Sequence, residues 1–188
     1  PPKLPSGYSP LPGDLIPNVL TLLARTSAAL VGYYHDAESV TVDRKADRSP
    51  VTTADRSAHA ALAQGLATLT PDVPFLSEES STEEIRERRD WRICWMVDPL
   101  DGTREFLGRT GEFTINVALI VDHVPILGFI AQPIENQCYL GMPGSGLWRC
   151  AGDDFEQLTE LSPSVTPGKN VRMSASQRHS PQRVAALI

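Results

Sequence analysis

Apolar residues recur at helix spacing in two stretches near the start of the chain. In the first stretch, from Asp14 to about Tyr34, they fall every three or four positions: Leu15, Val19, Leu22, Leu23, Leu30 and Val31. This pattern predicts a helix with one buried face, and Asp14 is a suitable N-cap for it. A second helix is predicted from about Ala54 to Leu69. The polar stretch KADRSPVTTAD (45–55) between them contains proline, which predicts a loop.

The middle of the chain changes to the alternating pattern of strands. Short strands are predicted at 39–43 and within DVPFLSEES (72–80), and SSTEEIRERRD (80–90) is typical of a helix capped by Ser81 and Glu84. Further strands are predicted at 92–98, 112–121, 124–132, 136–141 and 146–150. The turn residues between them (Asp122-His123, Pro133, Gly144) favour antiparallel hairpins. A polar connection follows Gly152, and then a strand at 171–176 and a helix from residue 180 are predicted.

This order of elements predicts an α+β fold, with two long helices on one face of a mostly antiparallel sheet. We expect a flexible lead-in at 1–13, a main domain at 14–168 and the start of an incomplete second domain at 169–188. The chain has 188 residues, of which 41% are apolar and 21% charged, enough for a packed core.

Charge and cysteine content exclude several classes of partner. The net charge is -6 and the pI about 5.2, which argues against a nucleic-acid groove or an anionic membrane surface. No window holds 18 uninterrupted apolar residues, so no membrane span is predicted. Cys94, Cys138 and Cys150 are odd in number and form no CxxC or Cys/His set. They are expected to be reduced core thiols of a cytoplasmic protein rather than zinc ligands.

Two aspartates follow the apolar run Trp95-Met96-Val97 in the segment DPLDGT (98–103). If the strand ends at Asp98, the proline and the Asp-Gly pair would turn the chain and bring Asp101 back beside it. Two carboxylates and the Leu100 carbonyl are hard oxygen ligands that suit Mg²⁺. Gly102 and Thr103 would then begin a helical turn, whose free N–H groups suit a phosphate. The alternative is a simple capped turn, with Asp98 as N-cap.

Two other acidic positions point to the same place. Ser77-Glu78-Glu79 also ends a predicted strand, and adjacent strands would bring its acids towards Asp98. The alternative is a solvated glutamate pair. Asp55 stands at the head of the second helix, where the alternative is compensation of the helix dipole. Together these residues favour a site that binds two Mg²⁺ ions, activates a water and holds a phosphoryl group. Lys45 and Asp47 are interpreted as surface residues with a steering role.

The four histidines form no recognisable set and are interpreted as surface or packing residues: His35, His59, His123 and His179.

Four segments in order resemble a known superfamily: SPVTTAD (49–55), FLSEES (75–80), VDPLDGTREF (97–106) and GEFTINVALI (111–120). The chain resembles the lithium-sensitive, Mg²⁺-dependent phosphatases that include inositol monophosphatases, over roughly residues 14 to 188. Within them it is most similar to the CysQ-type 3'(2'),5'-bisphosphate nucleotidases. The resemblance implies the N-terminal half of the layered αβαβα sugar-phosphatase fold.

The resemblance implies a metal-binding role for four positions. Glu78, Asp98 and the Leu100 carbonyl would hold a first metal ion, and Asp98 and Asp101 a second. Glu78, Leu100 and Asp101 would also line the substrate site.

The resemblance implies that Asp55 and Thr103 orient and deprotonate the attacking water. The Gly102 and Thr103 amides would seat the phosphate and contact the substrate. Arg104 stands where this subgroup commonly has a lysine, which keeps a basic residue near the site.

The implied reaction is hydrolysis of adenosine 3',5'-bisphosphate to AMP and phosphate, which clears a by-product of sulfate assimilation. The family's second half carries a Trp-Asp motif that completes the second metal site, whereas this chain has Asp90-Trp91, in reverse order and in another place. A fragment, a visible portion of a longer protein and a naturally truncated homologue all remain open. Activity on inositol monophosphate, or metal binding without turnover, are the alternative functions. An exposed apolar face would favour a homodimer.

Overall fold

The computed structural model describes residues 11–44, 50–152 and 154–159. Two long helices, α1 (Leu15–His35) and α2 (Thr53–Leu69), pack against a seven-stranded sheet. This confirms the predicted α+β class and both helices. Ser81 and Glu84 form the predicted capping box at the start of a short third helix.

The remaining elements in chain order are β1 (Val42–Arg44), β2 (Pro50–Thr52), β3 (Phe75–Ser77), α3 (Thr82–Glu87), β4 (Ile93–Asp101), α4 (Thr103–Leu107), β5 (Thr114–Val121), β6 (Val124–Gln132), β7 (Gln137–Met142), β8 (Gly146–Ala151) and β9 (Asp154–Leu158). Strands β1 and β2 form an antiparallel ribbon. The large sheet has the order β3-β4-β5-β6-β7-β8-β9. Only β3 and β4 pair in parallel within the described sheet; every other neighbouring pair is antiparallel.

The core lies between the helices and one face of this sheet. Strand β5 alternates between buried and half-buried positions, as expected for a strand with only one face packed. Trp95 is fully buried, and its indole N–H donates to the buried Thr70 hydroxyl at 2.8 Å. That bond satisfies the one polar group of the largest core side chain.

Helix α1 is long and apolar enough to cross a membrane by length and mean hydropathy alone, at 1.4 over its most apolar window. Its apolar residues nevertheless serve the core, since Leu15, Val19, Leu23 and Leu30 are all buried there. The helix therefore has the contacts of a core helix.

The opposite face of the sheet carries an apolar groove of about 530 Å³, which we call the open face. Its lining includes Met96, Ile130, Tyr139 and Leu147. Met96 and Ile130 are 48% and 49% exposed, high values for apolar residues in central strands. Asp98 and Asn116 also line the groove, so it borders the candidate site.

Several predicted boundaries were wrong. The strand predicted at 39–43 is a 3-10 turn (Ala37–Ser39) followed by β1. Pro50–Thr52 was predicted as loop but forms β2, because proline is tolerated in a two-stranded ribbon where its missing N–H is not needed. Strand β4 does not end at Asp98 but continues through an irregularity to Asp101. Strand β9 replaces the polar connection predicted after Gly152.

Other expectations are only partly covered by the described residues. Asp14 occupies the N-cap position of α1, but its side chain makes no capping hydrogen bond. The predicted strand at 171–176, the helix from residue 180 and the second domain at 169–188 lie outside the described residues. Within the predicted lead-in, Leu11 packs against the core.

Candidate active site

Asp55 is placed by the start of α2. Thr52 is the N-cap, and its hydroxyl accepts hydrogen bonds from the Ala54 and Asp55 amides at 3.1 and 3.3 Å. In return, Asp55 Oδ2 accepts from the Thr52 amide at 2.8 Å and from the Thr52 hydroxyl at 2.5 Å. Thr52 and Asp55 thus form a complete capping box. One carboxylate oxygen of Asp55 therefore serves the start of α2.

The second oxygen of Asp55 points to a residue 48 positions away. Asp55 Oδ1 accepts from the Thr103 hydroxyl at 3.1 Å, and the same hydroxyl lies 3.3 Å from the Leu100 carbonyl oxygen. The Asp55 side chain belongs to a residue only 3% exposed, so this carboxylate is held by hydrogen bonds out of bulk water. The structure therefore brings together three groups that the sequence placed in one site: Asp55, Thr103 and the Leu100 carbonyl.

Thr103 is fixed because the short helix α4 is anchored in the core. Phe106 is fully buried and packs edge-on against Phe113 and Tyr34, with ring centroids 5.1 and 5.6 Å apart. The Arg109 guanidinium lies 4.9 Å from the Tyr34 ring centroid. Since a five-residue helix has little stability of its own, this aromatic contact keeps Thr103 opposite Asp55.

The acids at the strand ends converge because β3 and β4 are parallel. Ser77 pairs with Val97, and the Glu78 amide donates to the Val97 carbonyl at 3.2 Å. Glu78 therefore follows β3 beside Asp98, as the sequence predicted. Asp101 lies on the far side of the irregularity in β4. Its Oδ2 accepts a hydrogen bond from the side-chain amide of Asn116, with Nδ2 at 3.1 Å.

The raised pKa of Asp98 reflects its burial beside other negative charges. Burial raises the pKa of Asp98 to about 7, and the charges of Glu78 and Asp101 add to the rise. A hydrogen bond from the Leu100 amide to Asp98 Oδ1, at 3.2 Å, acts in the opposite direction. A cation among these carboxyl groups would offset their repulsion and favour the ionised form of Asp98.

The donor set fits a hard divalent cation. Carboxylate oxygens and a carbonyl are the ligands that Mg²⁺ and Ca²⁺ take in proteins, and no soft ligand is present among them. In the part of the chain that the structure describes, no group of three or more His, Cys, Asp or Glu side chains is arranged so that it could hold a metal ion by itself. Mg²⁺ is usually bound through one or two carboxylates and keeps several waters, so the chemistry of these oxygens, rather than a complete protein cage, is what fits it.

Gly102 is the N-cap of α4, so the alternative in which Asp98 caps a helix was wrong. Asp98 instead accepts from the amide two residues further on. Gly102 has a φ of 95°, and a Cβ there would lie 2.8 Å from the Glu112 carbonyl oxygen. Arg104 is exposed in the first turn of α4. Its role, like the phosphate seat at the Gly102 and Thr103 amides, stays a prediction.

Sequence reasoning missed two residues of this site. Thr52 holds Asp55, and the spacing of a threonine three residues before an aspartate at a helix start is the signal for a capping box. Asn116 holds Asp101 and is the register partner of Asp98. Its signal is an amide within the otherwise apolar strand TINVALIV. Lys45 and Asp47 lie outside the described residues.

The three cysteines are buried and unbridged, as predicted. Cys138 and Cys150 are register partners on β7 and β8. Burial raises the pKa of Cys138 to about 12, with a smaller contribution from the neighbouring Cys150.

Sequence comparison finds similarity to curated bacterial nucleotidases. The chain is 44% identical over 136 residues to the 3'(2'),5'-bisphosphate nucleotidase CysQ of Escherichia coli O157:H7, covering 72% of this chain and 54% of that protein. It is 40% identical over 174 residues to CysQ of Aggregatibacter actinomycetemcomitans, covering 93% and 63%. The chain thus spans little more than half the length of these curated relatives.

Solved structures share the fold. The crystal structure of CysQ from Bacteroides thetaiotaomicron matches with a TM-score of 0.65 and 32% identity, over 88% of this chain and 64% of that chain. The suhB protein of Bartonella henselae matches with a TM-score of 0.64 and 28% identity, over 72% and 51%. The expected fold, covering about half of an inositol monophosphatase-like chain, is therefore confirmed. Residues 16–186 also match the sequence profile of the inositol monophosphatase family, so this chain belongs to that family.

Proposed function

We propose that the chain carries the catalytic residues of a Mg²⁺-dependent phosphatase that removes the 3'-phosphate of adenosine 3',5'-bisphosphate, giving AMP and phosphate. The observation that carries the proposal is the hydrogen bond from the Thr103 hydroxyl to the buried Asp55 carboxylate. It lies near carboxylates whose mutual repulsion, seen in the raised pKa of Asp98, a cation would offset. The nucleotide substrate is supported by the similarity to CysQ proteins, which are 3'(2'),5'-bisphosphate nucleotidases.

In this proposal, Glu78, Asp98, Asp101 and the Leu100 carbonyl hold two or more Mg²⁺ ions. When bound, these ions supply positive charge to the phosphoryl oxygens and make a nearby water more acidic. The four ligands would also line the part of the site that receives the substrate's phosphate.

Asp55 and Thr103 act on the attacking water. The Thr103 oxygen accepts a hydrogen bond from the water while its own proton points to Asp55 Oδ1, the direction that the structure shows. As the water attacks phosphorus, its proton passes to Thr103 and the Thr103 proton passes to Asp55. The bond between phosphorus and the 3'-oxygen breaks, and the departing 3'-oxygen takes up a proton from solvent water to give the hydroxyl of AMP. The second Asp55 oxygen is already held by Thr52, so the carboxylate does not need to reorient during the transfer.

The Gly102 and Thr103 amides are proposed to contact the phosphate. The first amides of a helix have no carbonyl partner within that helix, and an N-terminus favours negative charge. Arg104, in the same turn, would add a positive charge near the substrate.

Mg²⁺-dependent phosphate release from adenosine 3',5'-bisphosphate tests the proposal, with inositol monophosphate as the parallel substrate. We expect release that stops with EDTA, prefers the nucleotide and is inhibited by Li⁺. Asp101→Asn should abolish release with the fold intact, whereas Asp122→Asn, also exposed but in the turn between β5 and β6, should not. If the chain prefers inositol monophosphate, that compound takes the place of adenosine 3',5'-bisphosphate as the proposed substrate. Mg²⁺ binding without release from either substrate would favour a metal-binding homologue without turnover.

The open face is a candidate surface for homodimer formation. Its exposed apolar side chains favour contact with another apolar surface, and a second copy of the chain is one source of such a surface. Sedimentation velocity over a range of concentrations tests for the homodimer. The domain limits at 14–168, the cytoplasmic location and the role in sulfate assimilation also stay proposals.

A further inference from the structure

The turn that carries Glu78 is organised around the Ser77 side chain. Ser77 ends β3 and is only 5% exposed. Its hydroxyl oxygen accepts from the Glu79 amide at 3.2 Å, so the bond closes over Glu78. The Ser77 amide donates to the Ser80 hydroxyl at 3.0 Å, and the Ser80 amide donates back to the Ser77 carbonyl at 3.0 Å. The orientation of the Ser77 hydroxyl therefore influences the path of the chain through Glu78.

His59 on α2 contacts this hydroxyl, with Nδ1 lying 3.0 Å from Ser77 Oγ. The Glu79 amide can only donate to Ser77, so the hydroxyl proton must find an acceptor elsewhere. Among the hydrogen bonds that Ser77 makes within the described residues, His59 Nδ1 is the only acceptor available to that proton. Nδ1 can accept from this hydroxyl in the tautomer that carries the ring proton on Nε2.

The His59 ring is also held from the side. It packs edge-on against Phe75, with centroids 5.4 Å apart and planes at 75°. His59 follows Asp55 by four residues, so the two side chains lie on the same face of α2. One helix thus contacts both parts of the site: Asp55 meets Thr103, and His59 meets the turn that bears Glu78.

We propose that His59 is a positioning residue that acts through Ser77 to hold the Glu78 carboxylate towards Asp98 and Asp101. The inference rests on the proposed function in one respect, since it takes Glu78 as a ligand of the divalent cation. It gives His59 a role beyond the packing that the sequence suggested.

A purely packing role for His59 predicts a different ranking of variants. His59→Leu fills the space beside Phe75 but offers Ser77 no acceptor. His59→Asn loses most of the ring but can place an amide oxygen near the position of Nδ1. If His59 only packs, the leucine variant should be the better substitute. If it positions the turn, the asparagine variant should be better.

The test is a calorimetric titration of the full 188-residue chain with MgCl₂, for wild type, His59→Leu, His59→Asn, Ser77→Ala and the double variant with His59→Leu and Ser77→Ala. Removing a partner that directly orients a metal ligand weakens metal binding by about 10–100-fold. His59 contacts Ser77 rather than Glu78 itself, so we expect a smaller weakening of Mg²⁺ binding in His59→Leu, by about 3–10-fold. His59→Asn should stay within about twofold of wild type. Ser77→Ala should match His59→Leu, and the double variant should bind no more weakly than either single one.

Unchanged Mg²⁺ affinity in His59→Leu, or weaker affinity in His59→Asn than in His59→Leu, would overturn the inference. Thermal unfolding of each variant shows whether it is folded under the titration conditions. If a variant does not fold, Ser77→Ala and its comparison with wild type decide the outcome in its place.

Failure of the proposed function is distinguishable from failure of this inference. Wild type that binds Mg²⁺ but releases no phosphate removes the proposed activity, and the ranking of Mg²⁺ affinities still decides the role of His59. If wild type binds no Mg²⁺, the amide NMR signals of Glu78 and Glu79 decide it. Signals that shift in His59→Leu and return in His59→Asn support the positioning of the turn, and signals that stay unchanged in both variants overturn it.

Discussion

Replacing Asp98 with asparagine should stabilise the metal-free chain and remove its response to Mg²⁺. In the metal-free state, burial raises the pKa of Asp98 from an ordinary 3.8 to about 7, and the charges of Glu78 and Asp101 add to the rise. Asparagine has nearly the same shape, can still accept from the Leu100 amide and carries no charge. It therefore removes the repulsion while it keeps the turn.

The sign of the pH dependence follows from the raised pKa. A group with a higher pKa in the folded than in the unfolded state binds more protons when folded, so its contribution to stability is lost as pH rises. For Asp98 the loss should develop between about pH 4 and pH 7 and be complete above pH 7. Wild type without metal should therefore be less stable than Asp98→Asn at pH 8, and the difference should shrink towards pH 4.

The Mg²⁺ response has a calculable size. A ligand at 100 times its Kd stabilises the state that binds it by about 2.7 kcal/mol. For a chain of this length, 1 kcal/mol shifts Tm by about 2–4 °C, so saturating Mg²⁺ should raise the Tm of wild type by about 5–11 °C. Asp98→Asn should show little of this rise. Because protons compete with Mg²⁺ for Asp98, the wild-type response should weaken below about pH 7.

Thermal unfolding followed by circular dichroism, at pH 4, 6 and 8 with MgCl₂ or EDTA, measures all three effects. Asp122→Asn is the matched control, because hydrogen bonds from Arg92 lower the pKa of this fully exposed aspartate instead of raising it. Its contribution is present above pH 3.8 and is lost as pH falls, the reverse of Asp98. An equal Mg²⁺ response in wild type and Asp98→Asn, or a metal-free variant that is less stable at pH 8, would refute the reasoning.

Three further outcomes follow from the same contacts. Asp55→Asn removes the proposed proton acceptor and should lower the phosphatase rate by about 10²–10⁴-fold. The control Glu84→Gln alters only the exposed capping box of α3 and should keep the wild-type rate. Equal rates in the two variants would contradict the role of Asp55. Thr103→Val removes the hydroxyl that joins Asp55 and should lower the rate strongly, whereas Thr103→Ser should keep most of it; similar rates in both would contradict the proton path. Cys138, buried and with a pKa of about 12, should resist iodoacetamide at pH 8 in the folded chain but react after denaturation, as mass spectrometry will show.

Long periodic segments were predictable from the sequence because their patterns extend over many turns or pairs. Both long helices and the antiparallel meander from β4 to β8 were identified, and the Asp122-His123 turn adopts the positive φ values of a tight hairpin. Short elements failed because their residues follow tertiary pairing rather than local preference. Strand β2 depends on pairing with β1, and β9 depends on the edge that β8 offers to a polar segment.

The site was predictable as far as residue identity, but its supporting contacts were not. Acids at strand ends and the DPLDGT segment indicated Glu78, Asp98 and Asp101, and the parallel pairing of β3 with β4 places the first beside the second. The irregularity that carries β4 on to Asp101 depends on pairing with Thr114, a contact that no local pattern encodes. The contact between His59 and Ser77 likewise joins a helix to a strand end 18 residues away.

Gly102 shows how backbone clearance can restrict a position as strictly as chemistry does. Its φ of 95° disfavours every residue with a side chain, and a Cβ would meet the Glu112 carbonyl oxygen at 2.8 Å. Saturation mutagenesis at this codon should therefore recover glycine alone, even when the selection demands only a folded chain. Because Gly102 stands between Asp101 and Thr103, such intolerance would resemble that of a catalytic residue. Separate screens for folding and for turnover would identify its origin as the close approach of α4 to the chain entering β5.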